Sequence, residues 1–316
     1  MNLPFLTQAK APLTCEVSAV NEFGEHISVS IPAERALTVY VDKRELVTLM
    51  TLGAHPELLV LGYLLNQRLV KSTQEIESIT VDWDVGVAAV KTVHGIANLE
   101  EKTSRRVVTT GCGQGSVFGG LMDEVDQIKL PPDASITQSQ LYALVNTIRL
   151  KETTYKSAGS VHACALFGSK NSMANESELL IFVEDVGRHN AIDTIAGWMS
   201  INMTPTLVAS RITLPPEGAL RLQPDKAGSA APAEKGTSTG GLVFYTTGRL
   251  TSEMVIKSAQ MGVPIVVSRS GITQMGHQVA QSVGLCAIGR ATNKRFVCYT
   301  STQRLLLEPG LAGIKP

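Results

Sequence analysis

Leu242-Val243-Phe244-Tyr245-Thr246-Thr247-Gly248-Arg249 and, further along, Pro264-Ile265-Val266-Val267-Ser268-Arg269-Ser270-Gly271-Ile272-Thr273 carry the same succession of residue types. A short, continuously apolar run gives way to hydroxyl and glycine residues, and a helical pattern follows from about Ser252 in the first case and about Thr273 in the second. An uninterrupted apolar run is what a strand buried on both faces requires, and Ser, Thr and Gly are the residues that open a helix after it. A third apolar run, Leu285 to Ile288, continues the alternation, and Val161 to Phe167, Leu179 to Val183 and Thr206 to Ile212 precede it, with a helix expected after Arg188. That rhythm predicts a layered α/β domain.

Upstream the pattern changes. Val17, Ile27, Val29 and Ile31 partly alternate with polar residues, and Leu37-Thr38-Val39-Tyr40-Val41-Asp42 follows, which predicts strands of a half-exposed sheet. Pro56 begins an apolar stretch through Leu65 at helical spacing. Further strands are expected at Ile79 to Val81 and Arg106 to Thr109. Leu130-Pro131-Pro132-Asp133-Ala134-Ser135 reads as a linker, with Thr137 as the N-cap of a helix through Leu150.

A chain of 316 residues exceeds the ~250 at which a single core stops growing, so two subdomains are expected. The first, 1–135, is smaller, β-rich and α+β in character; the second, 136–316, is the α/β part. Within it, 215–241 is rich in Pro, Gly, Ala, Ser and Thr and reads as a flexible surface insertion.

Lys plus Arg and Asp plus Glu are 28 each, a balance that argues against a general binder of nucleic acid. From Arg249 onward, however, eight basic residues face only Glu253 and Glu308, so this region can hold a small anion. The start lacks the basic stretch and apolar run of a secretory signal, and no apolar run approaches the ~18 residues of a membrane span. Five cysteines without paired spacing fit a reducing cytoplasm better than a disulfide framework. A zinc deaminase needs His-x-Glu and Cys-x-x-Cys; His162-Ala163-Cys164 lacks the Glu and the chain has no Cys-x-x-Cys, so neither that chemistry nor a structural metal is expected.

Cys112 stands out because glycines flank it, in Thr110-Gly111-Cys112-Gly113-Gln114-Gly115. So many glycines cannot support a helix or pack a core, and the loop therefore serves backbone access. A thiol there attacks as thiolate, a form favoured by backbone N–H groups or a nearby cation; the plainer alternative is a cysteine that fills a turn. The loop after Phe244-Tyr245 offers backbone N–H groups, the hydroxyls of Thr246 and Thr247, Gly248 and the Arg249 guanidinium to a phosphate, and Ser268 and Ser270 repeat the arrangement. Ordinary helix caps use the same residues. A third loop, Glu184-Asp185-Val186-Gly187-Arg188-His189-Asn190-Ala191-Ile192-Asp193, packs several reactive side chains around one glycine; its plainer reading has Asp185 capping the helix and Arg188 paired with Asp193.

The Glu184 to Asp193 block, Thr247-Gly248-Arg249 with Glu253-Met254-Val255, and Gly262 to Ser268 resemble the signature segments of the FdhD/NarQ family of formate dehydrogenase accessory sulfurtransferases. The likeness extends through Glu34-Arg35-Ala36-Leu37 and Leu58 to Leu65 and spans Ala33 to Thr300. It implies a cytidine-deaminase-like three-layer α/β/α fold for the larger domain. It also implies a cytoplasmic sulfur carrier that takes persulfide sulfur from a cysteine desulfurase on Cys112, as a persulfide relay, and delivers it to a bis(guanine dinucleotide) molybdenum cofactor before insertion into the catalytic subunit of formate dehydrogenase. The cofactor is cargo, and a homodimer is compatible with the pattern. The guanine nucleotide ends would be held by Phe244, Tyr245, Thr246, Thr247, Gly248, Arg249, Arg188, His189, Ser268 and Ser270, with Arg188 or His189 as the cation that favours the Cys112 thiolate. A cofactor chaperone that moves no sulfur is the alternative. Two features depart from the family: Gly115 stands where many members carry a second cysteine of the loop, and the Pro215 to Gly241 segment is longer than the usual connection.

Overall fold

The computed structural model describes residues 3–96, 125, 128–169, 177–203 and 241–311. The Cys112 loop, the expected strands at Arg106 to Thr109 and Thr206 to Ile212, and the 215–241 segment except Gly241 lie outside the described residues. Among the described residues are fifteen strands and six α-helices in a mixed α/β arrangement. None of these helices is long and apolar enough to cross a membrane.

The N-terminal strands are β1 (Phe5–Leu6), β2 (Thr14–Val20), β3 (His26–Pro32), β4 (Arg35–Val41), β5 (Arg44–Thr51), β6 (Ile76–Asp82) and β7 (Val87–Thr92). Among the described residues β2 and β3 pair only with each other, as an antiparallel hairpin. The rest form a sheet in the order β1-β6-β7-β4-β5. Alternation places Leu37, Val39 and Val41 of β4 on its inner face. Helix α1 (Pro56–Asn66) covers that face with Leu59, Val60, Leu61 and Leu64.

The second sheet has the order β10-β9-β11-β12-β13-β14. Its strands are β9 (His162–Ser169), β10 (Ser177–Asp185), β11 (Val243–Thr246), β12 (Ile265–Ser268), β13 (Cys286–Thr292) and β14 (Arg295–Cys298). β11, β12 and β13 are parallel, while β9 is antiparallel to both β10 and β11, so β10 points the same way as the parallel three. Period two sorts the apolar residues: Phe244 and Val266 enter one core, Val243, Tyr245, Ile265 and Val267 the other. Helices α4 (Arg188–Asn202), α5 (Ser252–Gln260) and α6 (Gln274–Ser282) pack on the first face. Helix α2 (Gln138–Lys151) packs on the second through Leu141, Leu144, Val145 and Ile148, a single face at helical spacing. Thr137 caps α2 in a reciprocal box with Gln140, its backbone N–H donating to Gln140 Oε1 at 2.8 Å. Short helix α3 (Thr154–Ala158) follows, and β8 (Ile136–Thr137) pairs with β15 (Leu305–Leu306) at the sheet's flank.

The two sheets are joined by α1 lying against α4. A Cβ on Gly62 would stand 1.7 Å from the Asp193 carbonyl oxygen, and one on Gly197 would stand 2.0 Å from the Leu58 carbonyl oxygen. Two glycines facing each other let the helix backbones touch. α1 is therefore buried on both sides, which explains why its apolar residues do not confine themselves to one stripe.

Candidate functional site

Because β10, β11, β12 and β13 all point one way, their C-terminal ends open at one edge of the sheet, where crevices form in open α/β folds. β9 runs oppositely and contributes its first residue, His162, paired with Asp185 at the end of β10. Three loops meet there: Val186–Gly187 before α4, Thr247–Thr251 before α5 and Arg269–Thr273 before α6.

The loops are tied to one another by their own polar groups. Thr247 Oγ1 accepts from the Ala163 N–H at 3.0 Å, and Thr246 Oγ1 accepts from the Gly248 N–H at 3.1 Å. Ser268 Oγ donates to the Gly248 carbonyl at 2.7 Å and accepts from the Ser270 N–H at 3.0 Å. Thr246, Thr247 and Ser268 thus set the loop conformations. Phe244 and Tyr245 are fully buried on opposite faces of the sheet and serve its two cores. The Tyr245 hydroxyl accepts from Arg269 Nε at 3.3 Å, while the Arg269 guanidinium pairs with buried Glu152 and lies over the Tyr155 ring at 5.9 Å. Arg269 is committed to the scaffold.

The acidic residues of the Glu184 to Asp193 block turn inward. Glu184 caps α3 instead of facing solvent, accepting from the N–H groups of Thr154 at 2.9 Å and Tyr155 at 3.1 Å. Asp185 is 3% exposed and accepts from the Gly187 N–H at 2.9 Å, Asn190 Nδ2 at 2.8 Å, the Leu52 N–H at 3.2 Å and the Thr51 hydroxyl. It ties the end of β5 to the start of α4, while burial pushes its carboxyl above the usual range against those donors. Asp193 is not the partner of Arg188. It accepts from Lys257 Nζ at 2.9 Å and Asn66 Nδ2 at 2.7 Å, wholly inside the protein. Lys257, 1% exposed, also reaches Glu253 at 3.4 Å; burial opposes its charge, but the two carboxylates outweigh it and raise its pKa.

The basic residues gather at the sheet edge. The Arg188 side chain lies across Gly248, whose added Cβ would stand 2.7 Å from Arg188 Cδ; Gly248 makes room for it. Arg249 is exposed. Half-buried His162 is held below its ordinary pKa by burial, then by the neighbouring Arg188 and Arg249 guanidinium groups. His189 differs from the cation expected of it. Burial and then Lys257 push it down to about 3, so its imidazole is neutral near pH 7, with Nδ1 3.5 Å from Glu253 Oε1. Of the basic residues expected in the site, Arg188 and Arg249 are the ones whose guanidinium groups lie near His162. In sequence His162 is marked only by the missing deaminase Glu; the structure brings it to this edge, at the head of β9 and opposite Asp185.

Three other cysteines lie in or against the sheet's cores. Buried Cys164 donates to Thr246 Oγ1 at 3.3 Å, and burial pushes its thiol up to about 12. Cys286 and Cys298 neighbour each other at the start of β13.

The sequence model of the FdhD/NarQ family matches residues 32–214 and 225–306, and the chain belongs to that family. The match is interrupted within the Pro215 to Gly241 segment. The chain is similar to the sulfur carrier protein FdhD of Bacillus subtilis strain 168, with 28% identity over 278 residues covering 86% of this chain and 88% of that one. It is 25% identical over 288 residues to the sulfur carrier protein FdhD of Listeria monocytogenes serotype 4b strain F2365, covering 89% and 93%. Its fold is similar to the crystal structure of a protein described as a formate dehydrogenase accessory protein from Desulfotalea psychrophila, with a TM-score of 0.66 and 20% identity, over 93% of this chain and 100% of that one.

Proposed function

We propose that the chain is a sulfur carrier for formate dehydrogenase maturation. It accepts sulfur on Cys112 from the persulfide of a cysteine desulfurase and delivers it to a molybdenum cofactor bearing two guanine nucleotide arms. In the first step the Cys112 thiolate attacks the outer sulfur of the donor persulfide, and the donor cysteine leaves as thiolate. One observation carries the binding half of this reading: Arg188, exposed Arg249 and His162 crowd the strand-end edge beside the first turn of α4. Such a gathering is stabilised by an arriving polyanion, and a helix N-terminus adds N–H groups to it. Arg249 engages a diphosphate in bidentate fashion, and the Thr246–Gly248 and Ser268–Ser270 loops hold the backbone around it. Family membership and the names of the relatives support the sulfur-carrying half. A larger cytidine-deaminase-like domain from residue 136 and a smaller one before it, working in the cytoplasm, go with this reading.

Incubation with a cysteine desulfurase and cysteine, followed by intact-mass measurement, is expected to show a reducible sulfur adduct that Cys112→Ser abolishes. Loss of formate dehydrogenase maturation in Cys112→Ser with guanosine diphosphate affinity intact supports the carrier. Full maturation by Cys112→Ser makes the protein a cofactor chaperone instead.

A further inference from the structure

Cys286 opens β13 and Cys298 closes β14, the outermost strand of the second sheet. Ile288 stands opposite Cys298 in the register, so the two cysteines meet diagonally on one face, with sulfur atoms 3.8 Å apart. That distance is a thiol contact, far beyond the ~2.05 Å of a bond, and both are free. Their environments differ. Cys286 is fully buried beneath the strand, whereas Cys298 is half-buried on a strand paired along one side only. Thr300 stitches the pair's surroundings together: its hydroxyl donates to the Leu285 carbonyl at 2.6 Å and accepts from the Ala287 N–H at 3.1 Å, on either side of Cys286. Its carbonyl accepts from the Cys298 thiol at 3.6 Å.

We propose that Cys286 and Cys298 are a reversible two-electron redox site, a dithiol that closes to a disulfide when it meets a hydroperoxide. Cys298 attacks the peroxide; the O–O bond breaks, an alcohol leaves with a proton, and Cys298 becomes a sulfenic acid. Cys286 then attacks that sulfur; the S–O bond breaks, water leaves with the remaining thiol proton, and the S–S bond forms. Two thiols lose two electrons and one hydroperoxide gains them, and a small dithiol reverses the process by exchange.

The asymmetry of the pair assigns the roles. The contact between the two sulfur atoms lowers the Cys298 pKa, and the same contact, followed by burial, raises that of Cys286. The accessible sulfur is the attacking one and the buried sulfur resolves it. Closing the gap requires movement of β14, which among the described residues has no strand on its outer side to hold it back. The site lies at the start of β13, while the cation-lined loops lie at the ends of the parallel strands, so it stands apart from the nucleotide edge.

The test uses the full chain treated with tert-butyl hydroperoxide, quenched by alkylation and digested with trypsin without reduction. The expected product joins the peptides Ser270–Arg290 and Phe296–Arg304, two hydrogens lighter than their sum, in most chains. It disappears with dithiothreitol and forms equally in Cys112→Ser, while exposed Cys15 stays unlinked as the internal control. In Cys286→Ala, Cys298 is expected to proceed to sulfinic acid. Sulfinic acid at Cys298 in the wild-type chain without the linked peptides, or links to Cys15 in their place, overturns the proposal whatever the variant does.

Discussion

The first turn of α4 and the turn that follows it treat charge in opposite ways. In the second, Asp193, Lys257, Glu253 and Asn66 lie within hydrogen-bonding or ion-pair reach of one another, with Lys257 and Asp193 at 1% and 0% exposure. At the first, burial and then the nearby Arg188 and Arg249 guanidinium groups hold His162 below its ordinary pKa. Buried charges persist because each has an opposite partner, and removing one partner strands the other. Cations gathered at an edge lower the energy of a complex with an anion. The same ten-residue block therefore supplies a fastening and part of the edge proposed to bind an anion, and residue type alone does not say which is which.

The largest effect is expected where the fastening is cut. Lys257→Ala leaves Asp193 charged in the core and should lower unfolding free energy by about 3–5 kcal/mol in denaturant titration. The double variant Asp193→Asn with Lys257→Met should lose much less, and equal losses would mean that packing rather than charge is at stake. Asp185→Ala removes the acceptor for four donors and should cost about 2–3 kcal/mol. Arg249→Ala lies on the other side of the comparison. It should weaken guanosine diphosphate binding by about 1.5 kcal/mol in calorimetry, while leaving stability within about 0.5 kcal/mol of wild type. A stability loss comparable to that of Asp185→Ala would place Arg249 among the fastenings.

The smallest effect concerns His189, between the two regions. Its folded pKa of about 3 lies below the unfolded 6.5, so the unfolded chain takes up a proton first as pH falls. Its neutral burial is fully compatible with folding above pH 6.5 and costs stability below it. Between pH 8 and pH 5.5 the wild type should lose about 1.4 kcal/mol more than His189→Gln. Identical pH profiles would show that the imidazole is not held neutral.

The α/β rhythm of the second half was legible because buried strands are uniformly apolar and their helices start with Ser, Thr or Gly, as at Val243–Thr246 and Ile265–Ser268. Thr137 was legible as a cap because Gln140 follows at the spacing of a capping box. β5 and β7 were not legible: outward Met50 in Arg44–Thr51, and buried Ala88 beside outward Ala89 in Val87–Thr92, blur the alternation of apolar and polar residues. In the site, the loops at Thr246–Arg249 and Ser268–Ser270 were readable from local sequence. The inward turn of Glu184 and Asp185 was not, because their partners Thr154 and Thr51 lie far away in the chain. The place of His162 depends on β9 running against β11, a matter of strand order that no local pattern encodes.

The contact of Gly62 with Gly197 has a mechanical consequence. With no side chains between them, the two helix backbones touch directly, so the position of α4 is keyed to that of α1 and, through it, to the N-terminal sheet. Arg188 lies nine residues, or about 13 Å, along the same helix from Gly197. A methyl group at either glycine would meet a backbone carbonyl oxygen at 1.7 or 2.0 Å and force the two helices, and with them the two sheets, apart.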